Sequence, residues 1–172
     1  MFSKFILKEI EGVGTERELS FLDTIKNSKN VVWVTAVMSS NGSIQFVKDK
    51  QGAGFFTAKL KKFPSIVEEI SKQYPDVVVE NSYVTKLTPN YNMLPHIDKN
   101  RKTAILMPLG KNKGEIVYSV CGIPVHTHVY RGPIISRVDI THGANNTSDS
   151  IRYALTLELP GTLADNRTKY RK

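Results

Sequence analysis

Residues 94–109 read LPHIDKNRKTAILMPL, and the reading of this stretch decides the fold. Its second half, Thr103 to Leu109, is a short apolar run bounded by Lys99-Asn100-Arg101-Lys102 and by Gly110. A run of that length between turn signals reads as a buried strand, too short for an ordinary helix. Its first half sets His96 and Asp98 two residues apart. If 94–98 is also extended, both side chains leave one face while Ile97 turns into apolar packing.

Outward from this stretch, everything after Pro75 has the same texture. Extended segments are expected at about 77–80, 82–88, 94–98, 103–109, 115–120, 123–130, 134–140 and 151–159. They are punctuated by Pro89-Asn90, Gly110 to Gly114, Cys121-Gly122, Arg131-Gly132-Pro133 and Gly143 to Asp149. Many short strands at this spacing argue a β-sandwich or barrel.

The N-terminal side differs. Residues 1–10 read as a first strand or a short amphipathic piece, and Thr15-Glu16-Arg17-Glu18 has the form of a capping box opening a helix to about Asn27. Leu19, Phe21, Leu22 and Ile25 share one face of that helix, which should pack on the core. Val31 to Met38 reads as a strand, Asn41-Gly42 as a hairpin turn, and Ser43 to Val47 as the returning strand. Lys48 to Gly54 looks like a polar loop. Pro64 suits a helix start, and Ile66, Val67 and Ile70 give that helix an apolar stripe ending near Tyr74-Pro75. The expectation is one domain, mainly β with flanking helices: helical and strand support over 1–75, a β core over 76–160, and a basic tail over 161–172 that is solvated and frayed.

Composition narrows the partners. The 172 residues are 40% hydrophobic and 23% charged, near the globular average, and no apolar run approaches the ~20 residues of a spanning helix. Met1-Phe2-Ser3-Lys4 lacks the form of a signal peptide, so a cytoplasmic location is expected. Cys121 is the only cysteine, which excludes an internal disulfide and a thiolate zinc cage; beside Gly122 it reads as a small buried hydrophobe. A formal charge of +8 favours anionic partners in general, whether nucleic acid, membrane surface or a small acid.

Chemistry concentrates in a few residues. His96 and Asp98, answered far downstream by His142, supply two imidazoles and a carboxylate that can cap one face of a metal. The opposite positions stay open, an arrangement suited to non-haem Fe(II). Arg152 opens the apolar strand ending at Leu159, where a guanidinium needs an anion. That anion is either an acidic side chain of the same domain or a bound carboxylate, which its planar fork matches. His126 and His128 form a second pair two residues apart, but no carboxylate accompanies them, and they read as one face of an ordinary strand.

The order His-x-Asp, distal His, then Arg resembles the 2-oxoglutarate and Fe(II) dependent dioxygenases. More narrowly, Leu94 to Asp98, the strand ending Met107-Pro108-Leu109, and His142 through Asn145, Asn146, Ser148 and Asp149 to Arg152 look like the aspartyl/asparaginyl β-hydroxylase branch. The resemblance covers roughly residues 80–160. It implies a double-stranded β-helix (jelly-roll, cupin-like) core, with Fe(II) held by His96, Asp98 and His142 and the distal carboxylate of 2-oxoglutarate paired with Arg152. Some members of the branch lack the carboxylate ligand, whereas Asp98 is present. A second basic residue often helps hold the co-substrate, for which Arg101 and Lys102 are candidates. Tyr83 belongs to the same wall unless its ring packs in the core, and Tyr91 and Asn92 are candidates for the substrate side. The implied reaction consumes O₂ and 2-oxoglutarate, releases succinate and CO₂, and hydroxylates an amino-acid or peptidyl side chain. Two alternatives stay open: a cupin-like metal-binding module or isomerase without O₂ chemistry, and an oxygenase acting on nucleic acid. The latter is disfavoured because the basic residues show no aromatic interleaving.

Overall fold

The computed structural model describes residues 3–10, 22–23, 25–26, 31–38, 44–46, 54–59, 64–111 and 114–170. In chain order the elements are α1 (Ser3–Ile6), β1 (Leu7–Glu9), β2 (Val34–Met38), β3 (Ile44–Phe46), β4 (Phe55–Lys59), α2 (Pro64–Gln73), β5 (Val78–Leu87), β6 (Thr103–Leu109), β7 (Glu115–Val120), β8 (Ile123–Val129), β9 (Ile134–Arg137), β10 (His142–Asn145), β11 (Arg152–Leu159) and α3 (Leu163–Lys169). Their strands form two antiparallel sheets. The larger has the order β1-β9-β6-β11-β5-β4-β2-β3 and the smaller β10-β7-β8.

The apolar runs explain the layering. β6 and β11 are buried along almost their whole length and sit side by side inside the large sheet. One face of that sheet packs Val84, Ile105, Met107, Leu155 and Leu157 against a helical layer contributed by Leu22, Ile25, Ile70, Tyr74 and Leu163. The other face turns Tyr83, Thr85, Leu106, Ala154 and Thr156 toward the small sheet, across a cavity that both sheets line. A second cluster of Ile6, Leu7, Ile116, Tyr118, Tyr130 and Ile134 packs together elements of both sheets. The architecture is mainly β with flanking helices, a jelly-roll of the cupin type.

Several expectations are corrected. The segments 77–80 and 82–88 are one strand, β5, whose pairing with β11 shifts register between Thr156 and Glu158. There Ser82 Oγ donates to Val78 O at 2.7 Å and accepts from Glu158 N at 3.2 Å, filling the irregular ladder. Residues 94–98 are not a regular strand. Pro95 has no N–H to give a ladder, and only isolated bridges form, Asn92 to Asn145 and His96 to His142. The segment 134–140 is a strand only through Arg137. β4 was not foreseen from sequence, nor was β10, which lies where a turn was expected. Its His-Gly-Ala-Asn composition has little strand preference, and pairing with β7 imposes the conformation.

Ile97 is 45% exposed instead of packed. Cys121 is exposed in the β7–β8 turn, where Cys121 and Gly122 both have positive φ, 51° and 79°. Residues 163–169, expected as part of a frayed tail, form α3, opened by a capping box between Thr162 and Asp165 and anchored by buried Leu163 and Asn166. At the N-terminus, residues 22, 23, 25 and 26 are helical as expected, and β2 pairs with β3. The capping box at 15–18 and the Asn41-Gly42 turn lie outside the described residues. Among the described residues no helix is long and apolar enough to cross a membrane.

Candidate metal centre

The two histidines are brought together by backbone pairing. His96 N–H donates to His142 O at 2.8 Å and His142 N–H to His96 O at 2.9 Å, an antiparallel pair that exchanges both bonds. Residues directly opposite in such a pair project to the same side of the sheet. Asp98 N–H donates to Val138 O at 2.8 Å and fixes the third residue. The ligand atoms of His96, Asp98 and His142 consequently lie within 4.8 Å of one another.

The backbone around the two imidazoles fixes which ring nitrogen of each faces the cavity. His96 Nδ1 lies 2.9 Å from Leu94 O, and His142 Nδ1 lies 2.9 Å from Ile140 O. A carbonyl can only accept, so each Nδ1 carries a proton, and in the neutral form of either ring the lone pair is left at Nε2. Burial, with the neighbouring His96, pushes the His142 pKa down to about 4, so this ring is neutral at pH 7. The ring centroids are 4.4 Å apart. Two imidazoles bound cis to one ion at about 2.1 Å would hold their centroids roughly 4.5 Å apart, so the pair fits a shared ion.

Asp98 completes the face. Its Oδ1 is 3.5 Å from His96 Nε2, while its Oδ2 accepts from Arg101 Nε at 2.6 Å. Burial alone would raise its pKa, but the neighbouring His96 and the charge of Arg101 outweigh burial and hold it well below the carboxylate range. Arg101 continues to Tyr83, whose hydroxyl accepts from Nη2 at 2.7 Å. Burial works against the Arg101 charge, and Tyr83 and Asp98 more than restore it, raising its pKa.

Arg152 lies on the same cavity, 3% exposed at the start of β11. Burial lowers its pKa, while a hydrogen bond with Tyr130 and the charge of Glu115 act in the opposite direction. A guanidinium nevertheless keeps its proton in proteins. Its Cζ stands 5.1 Å from the Tyr130 ring centre. Gly114 makes room for it: a Cβ there would come within 2.4 Å of Arg152 Cδ and Nε.

His96, Asp98, His142, Arg101, Arg152 and Tyr83 therefore all line one cavity. Outside the lining are Lys102 and Asn92, both exposed, and Tyr91, half-buried beside Leu87 and Met93. Tyr130 was not anticipated; the only signal in sequence was its place just past an alternating strand. His126 and His128 stand apart, facing Tyr118 and Tyr130 while Val125 and Val129 of the same strand are exposed. Their centroids are 6.4 Å apart, too far for cis coordination of one ion.

Solved structures share this architecture. An oxidoreductase of the 2OG-Fe(II) oxygenase family from Burkholderia pseudomallei superposes with a TM-score of 0.52 at 10% identity, covering 81% of this chain and 76% of that one. The Escherichia coli ribosomal oxygenase YcfD matches with a TM-score of 0.48 at 11% identity, covering 94% of this chain and 50% of its own, so the chain spans about half of that protein. One YcfD structure is a complex with cobalt and 2-oxoglutarate. No protein-family model and no curated protein matches the sequence. The likeness to the Burkholderia protein establishes the fold.

Proposed function

We propose that this chain is an Fe(II)- and 2-oxoglutarate-dependent oxygenase that hydroxylates an amino-acid or peptidyl side chain. In this reading His96, Asp98 and His142 hold Fe(II), and Arg152 pairs with the distal carboxylate of 2-oxoglutarate. Bound there, iron supplies the O₂ activation that converts 2-oxoglutarate to succinate and CO₂. The chain's own residues do the rest. The carbonyls of Leu94 and Ile140 hold both imidazoles in the Nε2-ligating tautomer, and Arg101 holds Asp98 ionised. Tyr83, Thr85 and Thr156 present polar groups along a wall that also carries apolar side chains such as Leu87, Leu106 and Ala154. The resemblance of residues 80–160 to the aspartyl/asparaginyl hydroxylases makes an aspartyl or asparaginyl side chain the first substrate to try, and a cytoplasmic location accompanies this reading.

The observation that carries it is the convergence, on one wall-to-wall cavity, of a two-His-one-carboxylate face and a buried arginine. A metal-binding module or isomerase without O₂ chemistry would give Arg152 no such task. Incubation of the purified chain with Fe(II), 2-oxoglutarate and air tests the proposal. Succinate is expected from the wild type and not from His96→Ala, with Arg152→Ala raising the KM for 2-oxoglutarate. A folded wild type that binds iron yet forms no succinate, with or without a second substrate, would sink it.

A further inference from the structure

The link from Asp98 through Arg101 to Tyr83 joins the metal face to the cavity wall. We propose that Arg101 is a positioning residue with two tasks: it presents Asp98 to the ion through a single oxygen, Oδ1, and it turns the Tyr83 hydroxyl into a hydrogen-bond donor for an oxygen of the bound dicarboxylate. The inference rests on the metal-centre reading above.

The geometry is specific. Arg101 Nε donates to Asp98 Oδ2 at 2.6 Å, and Nη2 of the same planar group donates to Tyr83 at 2.7 Å. Asp98 Oδ2 is thereby committed, and Oδ1 is the oxygen on the side of His96 Nε2. Without that commitment the carboxylate can rotate about its last side-chain bond and offer either oxygen or both. A guanidinium has five donors and no acceptor, so in its contact with Tyr83 the hydroxyl must accept. The hydroxyl's own proton then points away from Arg101, and Tyr83 lines the cavity. An oxygen-bearing ligand such as a carboxylate is what that proton can serve. A lysine at position 101 has the charge but lacks the rigid fork that reaches Asp98 and Tyr83 at once.

The sign of the effect separates positioning from mere charge. Removing a cation beside a bound dication, taken alone, tightens metal binding by Coulomb's law. Removing the group that orients a ligand loosens it, by about 10- to 100-fold for residues behind a metal ligand. The experiment is Mn(II) titration by calorimetry on the full chain, wild type, Arg101→Gln, Arg101→Lys and Tyr83→Phe, with thermal unfolding of each. Arg101→Gln is expected to weaken Mn(II) binding about 10- to 100-fold, with Arg101→Lys in between. Tyr83→Phe is expected to keep the wild-type Mn(II) affinity but to bind 2-oxoglutarate about tenfold more weakly in the Mn(II)-loaded protein, the scale of one hydrogen bond to a charged group. A folded Arg101→Gln that binds Mn(II) as tightly as the wild type, or more tightly, overturns the positioning role. Unchanged 2-oxoglutarate affinity in Tyr83→Phe overturns the donor role. If Arg101→Gln fails to fold, Arg101→Lys decides, and wild-type affinity there overturns the proposal. A wild type that binds no Mn(II) instead overturns the metal-centre reading itself, a result distinct from all of these.

Discussion

His96 and His142 show how few contacts are needed to orient a pair of candidate metal ligands. Each ring is held by a carbonyl two residues back, and the two backbones are bonded to each other. The His-x-Asp spacing was legible in sequence because residues two apart on an extended chain share a face. The Arg101 contact was not: nothing in Lys99-Asn100-Arg101-Lys102 says which basic side chain turns inward, since loop register is set by tertiary packing. Arg152 was legible as a cation on an apolar strand, but the space it occupies was not, because that space is the missing side chain of Gly114. Gly114→Ala is expected to cost about 1–2 kcal/mol from its φ of +65°. It should also displace the Arg152 guanidinium and so weaken 2-oxoglutarate binding severalfold. Gly122→Ala, at φ +79° with nothing within 4 Å of the added carbon, has the same backbone strain and is the control. Equal ligand affinity in the two variants would show that Gly114 serves the turn alone.

Among the elements, the strands with clear apolar runs, β6 and β11, were readable, while β10 and the bridged segment 91–98 were not. Pairing decides those: Met93 N–H donates to Ala144 O at 3.0 Å and Asn146 N–H to Tyr91 O at 2.9 Å, contacts that local composition does not encode. The basic C-terminal stretch was misread because its charges suggested solvent. In α3 those charges have partners: Arg167 donates to Leu7 O at 2.5 Å, and Lys169 pairs with Asp76, whose carboxylate also accepts from the Tyr170 hydroxyl at 3.0 Å. The bond from Lys169, with that from Tyr170, lowers the Asp76 pKa from its ordinary 3.8. A carboxylate with a depressed pKa adds stability above its unfolded value, and that stability is lost as pH falls through the folded one. Asp76→Asn is therefore expected to be less stable than the wild type at pH 7, with the difference shrinking as the pH is brought below about 4. Urea unfolding at pH 7 and pH 3 checks this; an equal difference at both would remove the ion pair from the account.

Across the whole molecule, strand pairing and core packing join the N-terminal segments to the strands that follow residue 76. β4 pairs with β5 over five residues, Phe55 to Lys59, and β1 extends the same sheet from the far edge beside β9. Leu22 and Ile25 sit in the same core cluster as β6 and β11. We propose that these described segments and the strands after residue 76 fold as one unit. A fragment beginning at residue 76 would expose the edge of β5 and the apolar outer face of the large sheet, and it is expected to aggregate; a soluble fragment with a cooperative unfolding transition would contradict this. The fold class was legible because strand periodicity survives in the sequence. The proposed reaction rests on four residues taken together.

The most direct test of the central claim follows oxygen itself. With Fe(II), 2-oxoglutarate and isotopically labelled O₂, succinate is expected to carry one labelled oxygen atom and CO₂ to form in equal amount, and both are expected to be absent in His96→Ala. Succinate without label, or formed equally without O₂, would contradict it.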